Sequence, residues 1–152
     1  MVRKGWTAQK GVIVRTARDI MHPGVECIGE HQNLAFAARR MRELDVGALP
    51  ICGDDDRLHG IITDRDIVLK CVATGGDPNT VTAGELAQGK PITVEADADV
   101  QQVLLAMEQH RIRRLPVVDQ HWLVGLISEA DLARHLPEET VGHFVEAICA
   151  SP

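Results

Sequence analysis

Gly60-Ile61-Ile62-Thr63-Asp64-Arg65-Asp66-Ile67 recurs as Gly125-Leu126-Ile127-Ser128-Glu129-Ala130-Asp131-Leu132, a shift of 125 − 60 = 65. Each copy is a glycine, two apolar residues, a hydroxyl, two free positions, an aspartate and an apolar residue. A strand that runs straight into a helix is written this way. The hydroxyl takes the N-cap, and the aspartate at N3 reaches back to it, as in a capping box.

The echo extends over most of the chain. Thr16-Ala17-Arg18-Asp19-Ile20-Met21 returns as Thr82-Ala83-Gly84-Glu85-Leu86-Ala87, a shift of 82 − 16 = 66. The same shift carries Met41 onto Met107, Val46 onto Ile112, and Leu49-Pro50-Ile51 onto Leu115-Pro116-Val117. One residue is lost in a turn, Cys52-Gly53-Asp54-Asp55-Asp56-Arg57 against Val118-Asp119-Gln120-His121-Trp122. A repeat read over this length marks two copies of one structural unit.

The 152 residues suffice for one compact domain or two fused halves, with ordinary shares of 45% hydrophobic and 25% charged residues. No apolar run approaches the ~18 residues of a membrane span, and no signal peptide is read, so a cytoplasmic protein off the membrane is expected. The formal net charge of −6 and an aromatic share of 3% disfavour general nucleic-acid binding. The four cysteines form no CxxC pair, which argues against a zinc ribbon.

Residues 1–14 read as a flexible N-terminal tail. In repeat one, Thr16 caps a short helix through Met21, stopped by Pro23-Gly24. Residues 25–28 read as a strand. A helix over 32–44 places Leu34, Ala37, Ala38, Met41 and Leu44 on one face. Residues 48–52 and 58–62 form an antiparallel pair across a short turn. A helix over 64–73 is expected to bury Ile67, Val68, Cys71 and Val72, with Gly75-Gly76 as its stop. Repeat two copies this plan: Thr82 opens the short helix, 92–94 is a strand, 100–110 a helix, 115–118 and 122–127 the hairpin, and 129–135 the last repeat helix. A tail helix follows Pro137, with Val141, Phe144, Val145 and Ile148 as its apolar stripe, expected to pack on the chain's own body.

The fold class is therefore α+β (α/β): two tandem β-α-β-β-α units, each roughly 60 residues and too small to bury a sufficient core alone. Packing the two sheet to sheet, with pseudo-two-fold symmetry, would hide their uncovered faces. The expected division is residues 1–14 tail, 15–76 first domain, 77–136 second domain, and 137–152 C-terminal helix and tail.

The two glycine-to-aspartate motifs, the Leu-Pro-Ile of 49–51 and the Leu-Pro-Val-Val-Asp of 115–119, with the helices before them, resemble cystathionine β-synthase (CBS) domains. The tandem resembles a CBS pair, or Bateman module, over about residues 16–135. The stretches 49–60, 63–68, 82–87 and 133–138 are similar to stand-alone CBS-pair proteins of the actinobacterial hypoxic response, which implies a stress or dormancy setting. The resemblance implies a non-catalytic sensor that binds an adenosine-type ligand (the AMP, ADP and ATP class) in a cleft between units, a homodimer, and a protein partner the sequence does not name. The competing reading is a ligand-free interaction or stress scaffold stabilised by a disulfide or a metal.

Thr63 and Asp66, with Ser128 and Asp131, cap helices; the resemblance adds a ribose on the aspartate. Arg113 and Arg114 are the cations that could face phosphate, similar to basic residues of the AMP-sensing subunit of AMP-activated protein kinase; otherwise they form a solvated turn. Repeat one has Gly47-Ala48 in the same places, so the two units are not equivalent.

Cys27 and Cys52 fall at strand positions expected to run side by side, so they are either a bridge, which the resemblance favours, or two small buried thiols. The seven histidines show neither HExxH nor an i, i+4 pair, so no metal site is read; a composite one, for zinc among others, stays open. No Ser/His/Asp or Cys/His arrangement and no GxxxxGK[ST] loop is present, so no enzyme activity is expected and no cofactor is required.

Overall fold

Capping chemistry sets where the helices begin. The computed structural model describes residues 16–87 and 89–150; the tail expected at 1–14 lies outside them. Helix α1 is Ala17–Ile20, and Asp19 Oδ2 accepts from the amide and hydroxyl of Thr16 at 2.9 and 3.1 Å. Helix α2 is Leu34–Leu44, capped by Asn33, whose side chain accepts from the Phe36 amide at 2.8 Å. It closes on Asp45 in the left-handed region (φ 55°). Helix α3, Asp64–Asp66, runs on as a π-helical turn over Ile67–Val72. Helix α4 is Ala83–Leu86, α5 Val100–His110, α6 Glu129–His135 and α7 Glu138–Cys149.

The strands are β1 His22–Pro23, β2 Ile28–Gly29, β3 Ala48–Cys52, β4 Leu58–Thr63, β5 Val94–Glu95, β6 Arg114–Asp119 and β7 Trp122–Ser128. They form two sheets, one in the order β2-β3-β4 and one in the order β1-β7-β6-β5. In each, a hairpin is flanked by a short parallel strand. The shortness has a cause in Pro50 and Pro116, which have no N–H to donate to a ladder. Pairing of β2 with β3 starts at Ile51, and pairing of β5 with β6 at Val117, each one residue past a proline. Strands expected at 25–28 and 92–94 are accordingly found at Ile28–Gly29 and Val94–Glu95. The β6–β7 turn is tight, with Gln120 and His121 both at positive φ, as a two-residue hairpin turn requires.

Two hydrophobic cores result. One gathers Ile28, Leu34, Ala37, Met41, Leu49, Ile51, Ile62, Ile67, Cys71, Ala83 and Leu86. The other gathers Ala17, Ile20, Val103, Met107, Leu115, Val117, Ile127, Leu132, Phe144 and Ile148 among others. Helix α7 contributes Phe144 and Ile148 to the second core, against α5 and α6.

These cores do not follow the repeats. One compact unit is Val25–Pro91; the other takes in the described residues up to Gly24 and those from Ile92 onward. The leading segment of each repeat is built into the body of the other. Amides at the start of a helix have no partner inside it. In α4, Ala83 and Gly84 donate to the carbonyls of Gln32 and Glu30, both at 2.8 Å. In α1, Ala17 and Arg18 donate to Ala98 and Ala96 at 2.8 and 2.9 Å. These are the same contacts shifted by 66, since 98 − 32 = 66 and 96 − 30 = 66.

The exchange explains the motif glycines. A Cβ on Gly60 would stand 2.9 Å from the Ala87 Cβ, and one on Gly125 only 2.4 Å from the Met21 sulfur. The leading segment lies so close over the strand that no side chain fits beneath it.

One expectation fails in part. Of the four residues assigned to the buried face of the helix over 64–73, Ile67 and Cys71 are buried, but Val68 and Val72 are 53% and 58% exposed. An α-helix read at 3.6 residues per turn puts all four on one face. At about 100° per residue Cys71 stands roughly 40° round from Ile67, while Val68 and Val72 stand about 100° and 140° round, at the outer edge of that face. On α2, Ala38 is likewise exposed, and Leu44 is 38% exposed.

Candidate functional site

Each motif is a strand whose last residue caps the helix that follows. At the first, Thr63 Oγ accepts from the Asp66 amide and Asp66 Oδ2 accepts from the Thr63 amide, both at 3.0 Å. Lys70 Nζ lies 3.0 Å from the other carboxylate oxygen. Burial works to raise the Asp66 pKa; the Lys70 and Thr63 hydrogen bonds outweigh it and hold the carboxyl below its ordinary value. At the second, Asp131 Oδ2 accepts from the amide and hydroxyl of Ser128, both at 2.9 Å, and Oδ1 accepts from Arg134 at 2.7 Å. An ionised carboxylate has about four acceptor directions. Asp131 spends three and its side chain is 6% exposed; Asp66 spends two and is 22% exposed.

The arginines divide in the same way. Arg114 opens β6 directly across from Ser128. Among the described residues its guanidinium has no ion-pair partner. Arg113 is engaged: Nη1 is 2.5 Å from Glu129 Oε1, and Nη2 donates to Cys149 Sγ at 3.6 Å. These contacts, Glu129 first, raise its pKa further. Arg111 donates to the Ala150 carbonyl at 2.8 Å, so the end of α7 is tied to this turn twice. Ser128, Asp131, Arg113 and Arg114 thus share one compact unit, and Thr63 and Asp66 lie in the other.

A separate depression of about 510 Å³ lies between the end of α2 and the start of α3, lined by Met41, Arg42, Val46, Asp64, Ile67 and Val68 among others. Thr63 and Asp66 do not line it.

In the same unit, Cys27 and Cys52 form a disulfide, with Cα atoms 5.7 Å apart. It joins the residue before β2 to the end of β3. Two residues beyond its second sulfur stands Asp54, and three beyond its first stands Glu30. Glu30, His31 and Asp54 bring a carboxylate oxygen, an imidazole nitrogen and a second carboxylate oxygen within 4.8 Å of one another. No spacing in the sequence marks this set, because it forms across the parallel β2–β3 pairing. The signal that could have found it was the Cys27–Cys52 pairing, which puts residues 30–31 beside residue 54. Cys71 is a buried thiol and Cys149 an exposed one.

The chain belongs to the CBS domain family: the family's model matches residues 17–72 and again 83–138. It therefore carries two CBS domains of mixed α and β structure. Among its relatives, it is 61% identical over 135 residues to hypoxic response protein 1 of Mycobacterium tuberculosis, covering 89% of this chain and 94% of that protein. It is 37% identical over 132 residues to the CBS domain-containing protein YhcV of Bacillus subtilis, covering 84% of this chain and 90% of that one. Among solved structures it is similar to hypoxic response protein I with two coordinated zinc ions, at a TM-score of 0.74 and 62% identity, covering 80% of this chain and 99% of that one. Among the described residues no helix is long and apolar enough to cross a membrane.

Proposed function

We propose that the protein is a regulatory, non-catalytic CBS-pair sensor of stress or hypoxia that binds an adenosine-type nucleotide, with a motif aspartate receiving the ribose hydroxyls and Arg114 the phosphate. The observation that carries the reading is Arg114, a cation without an ion-pair partner among the described residues, set across from a motif hydroxyl. Asp66 keeps the larger spare acceptor capacity of the two aspartates. Arg113 serves phosphate only on leaving Glu129, so Arg114 matters more.

A thermal-shift series with AMP, ADP and ATP tests this. A nucleotide at 100 times its Kd adds about 2.7 kcal/mol. For a chain of this size that raises the midpoint by roughly 5–10 °C. Arg114→Ala weakens binding by roughly 10–150-fold, a charge-assisted hydrogen bond being worth ~1.5–3 kcal/mol. No shift with any nucleotide, or unchanged affinity in the variant, overturns it.

A second reading has its own observation: a structural neighbour 62% identical to this chain was solved with two zinc ions. On it, the protein is a metal-holding stress or interaction module, and zinc is its ligand. Val46, Val68, Leu69 and Val72, all exposed, support association of two copies.

A further inference from the structure

We propose that Arg113 is a switch held shut by Glu129 and the end of α7, so that a nucleotide phosphate drawing Arg113 away releases the end of that helix. The inference rests on the nucleotide reading above and names how its site is regulated.

A comparison of the repeats shows α7 as an added cover. In the second unit Phe144 and Ile148 of α7 share a core with Leu104, Met107 and Leu132, and Ile112 packs against it. The counterparts of the last four in repeat one are Ala38, Met41, Ile67 and Val46, since 104 − 38 = 107 − 41 = 112 − 46 = 66 and 132 − 67 = 65. All four line the open depression of about 510 Å³. The polar rim corresponds as well: Arg111, Arg113 and Glu129 stand where that depression has Asp45, Gly47 and Asp64. What repeat one leaves open to solvent, repeat two closes with a helix.

The closure is firm in the middle of α7 and weak at its end. Phe144 and Ile148 are 1% and 7% exposed. Beyond them the helix is fastened by two arginines: Arg111 donates to the Ala150 carbonyl at 2.8 Å, and Arg113 Nη2 to Cys149 Sγ at 3.6 Å. A thiol is a weak acceptor. The other branch of the guanidinium, Nη1, lies 2.5 Å from Glu129 Oε1, and the two side chains are 50% and 38% exposed. Water screens such a pair, which is worth no more than about fivefold in an equilibrium. A phosphate carries more charge than a carboxylate and offers oxygens to both branches of the fork. Arg113 therefore passes from Glu129 to phosphate, and Cys149 loses its partner in the same movement. The competition is reciprocal: the docked helix end weakens nucleotide binding by the factor by which nucleotide weakens docking.

The test is calorimetric titration of the full chain with AMP, ADP and ATP in turn, beside Glu129→Gln and Arg111→Ala, with amide hydrogen exchange of α7 followed with and without nucleotide. Thermal melts check that each variant folds. Each variant removes one hold on the switch and is expected to bind nucleotide about two- to fivefold more tightly than the native chain. Saturating nucleotide is expected to speed exchange in the last turn of α7 by a similar factor, while the amides around Phe144 keep their protection. Native binding that neither variant strengthens, or exchange at the end of α7 that nucleotide leaves unchanged, overturns the switch and leaves the nucleotide reading standing. No nucleotide binding by the native chain or by either variant overturns both.

Discussion

Gly125→Ala probes the exchange of leading segments most directly. The new methyl would stand 2.4 and 2.8 Å from the sulfur and Cγ of Met21, and 2.9 Å from the His22 carbonyl oxygen. Met21 can swing aside in part. The His22 carbonyl belongs to β1, whose backbone is paired with Leu126 in β7, and cannot retreat without loosening that ladder. Overpacking of this kind costs about 1–3 kcal/mol, and the backbone contact puts this case toward the upper end. At about 2–4 °C per kcal/mol for a chain of this length, the melting midpoint falls by roughly 5–10 °C.

Met21→Ala removes both crowding side-chain atoms and leaves only the carbonyl. The double variant therefore recovers part of the loss, with a coupling of about 1 kcal/mol between the two sites. Thermal and urea unfolding of the four proteins of the cycle give the numbers. A Gly125→Ala midpoint within about 1 °C of native, or losses that simply add, would refute the reasoning: the first repeat's leader would not lie over the second repeat's strand.

Other outcomes follow from the same geometry. Asp66→Asn costs about 1 kcal/mol at neutral pH through the lost capping box. Because the folded pKa of Asp66 lies below its ordinary value, its contribution is present above the unfolded pKa and lost as pH falls through the folded one. Urea midpoints of the two proteins should converge from pH 7 to pH 3, and a constant gap contradicts the linkage. Cys27→Ser opens a loop of 25 residues and is expected to remove about 3 kcal/mol, read as a lower midpoint without reductant that matches native protein with it. Phe144→Ala empties a fully buried position in the second core and costs about 3–5 kcal/mol, with α7 exchanging its amide protons first; protection of α7 as in native protein would contradict its docking.

What the sequence disclosed was whatever has a local cause. Thr16, Thr82, Asp99 and Ser128 open helices because their partners sit three residues on. Helices α5 and α6 and strand β3 have the bounds read from pattern alone. What stayed hidden depends on partners far along the chain. The leading segments of the two repeats read alike whichever body receives them, so the exchange leaves no trace in the pattern. The π-helical turn is a matter of packing, since a hydrophobic run does not record whether its hydrogen bonds close after four residues or five. The motif residues Thr63, Asp66, Ser128 and Asp131 were legible as caps. That Arg113 is held by Glu129 while Arg114 is not could be seen only once the β6–β7 register was known.

The traded leaders also bear on how such a chain could arise. Each repeat carries both a first helix and the glycine patch that receives one, yet in this chain each helix is seated on the other repeat's body. The same loan could be made between two separate molecules of one repeat, since the contacts it uses are identical in both bodies. Cutting the present chain between its repeats would return it to that condition: neither fragment finishes alone, and a stable product requires that both be present together.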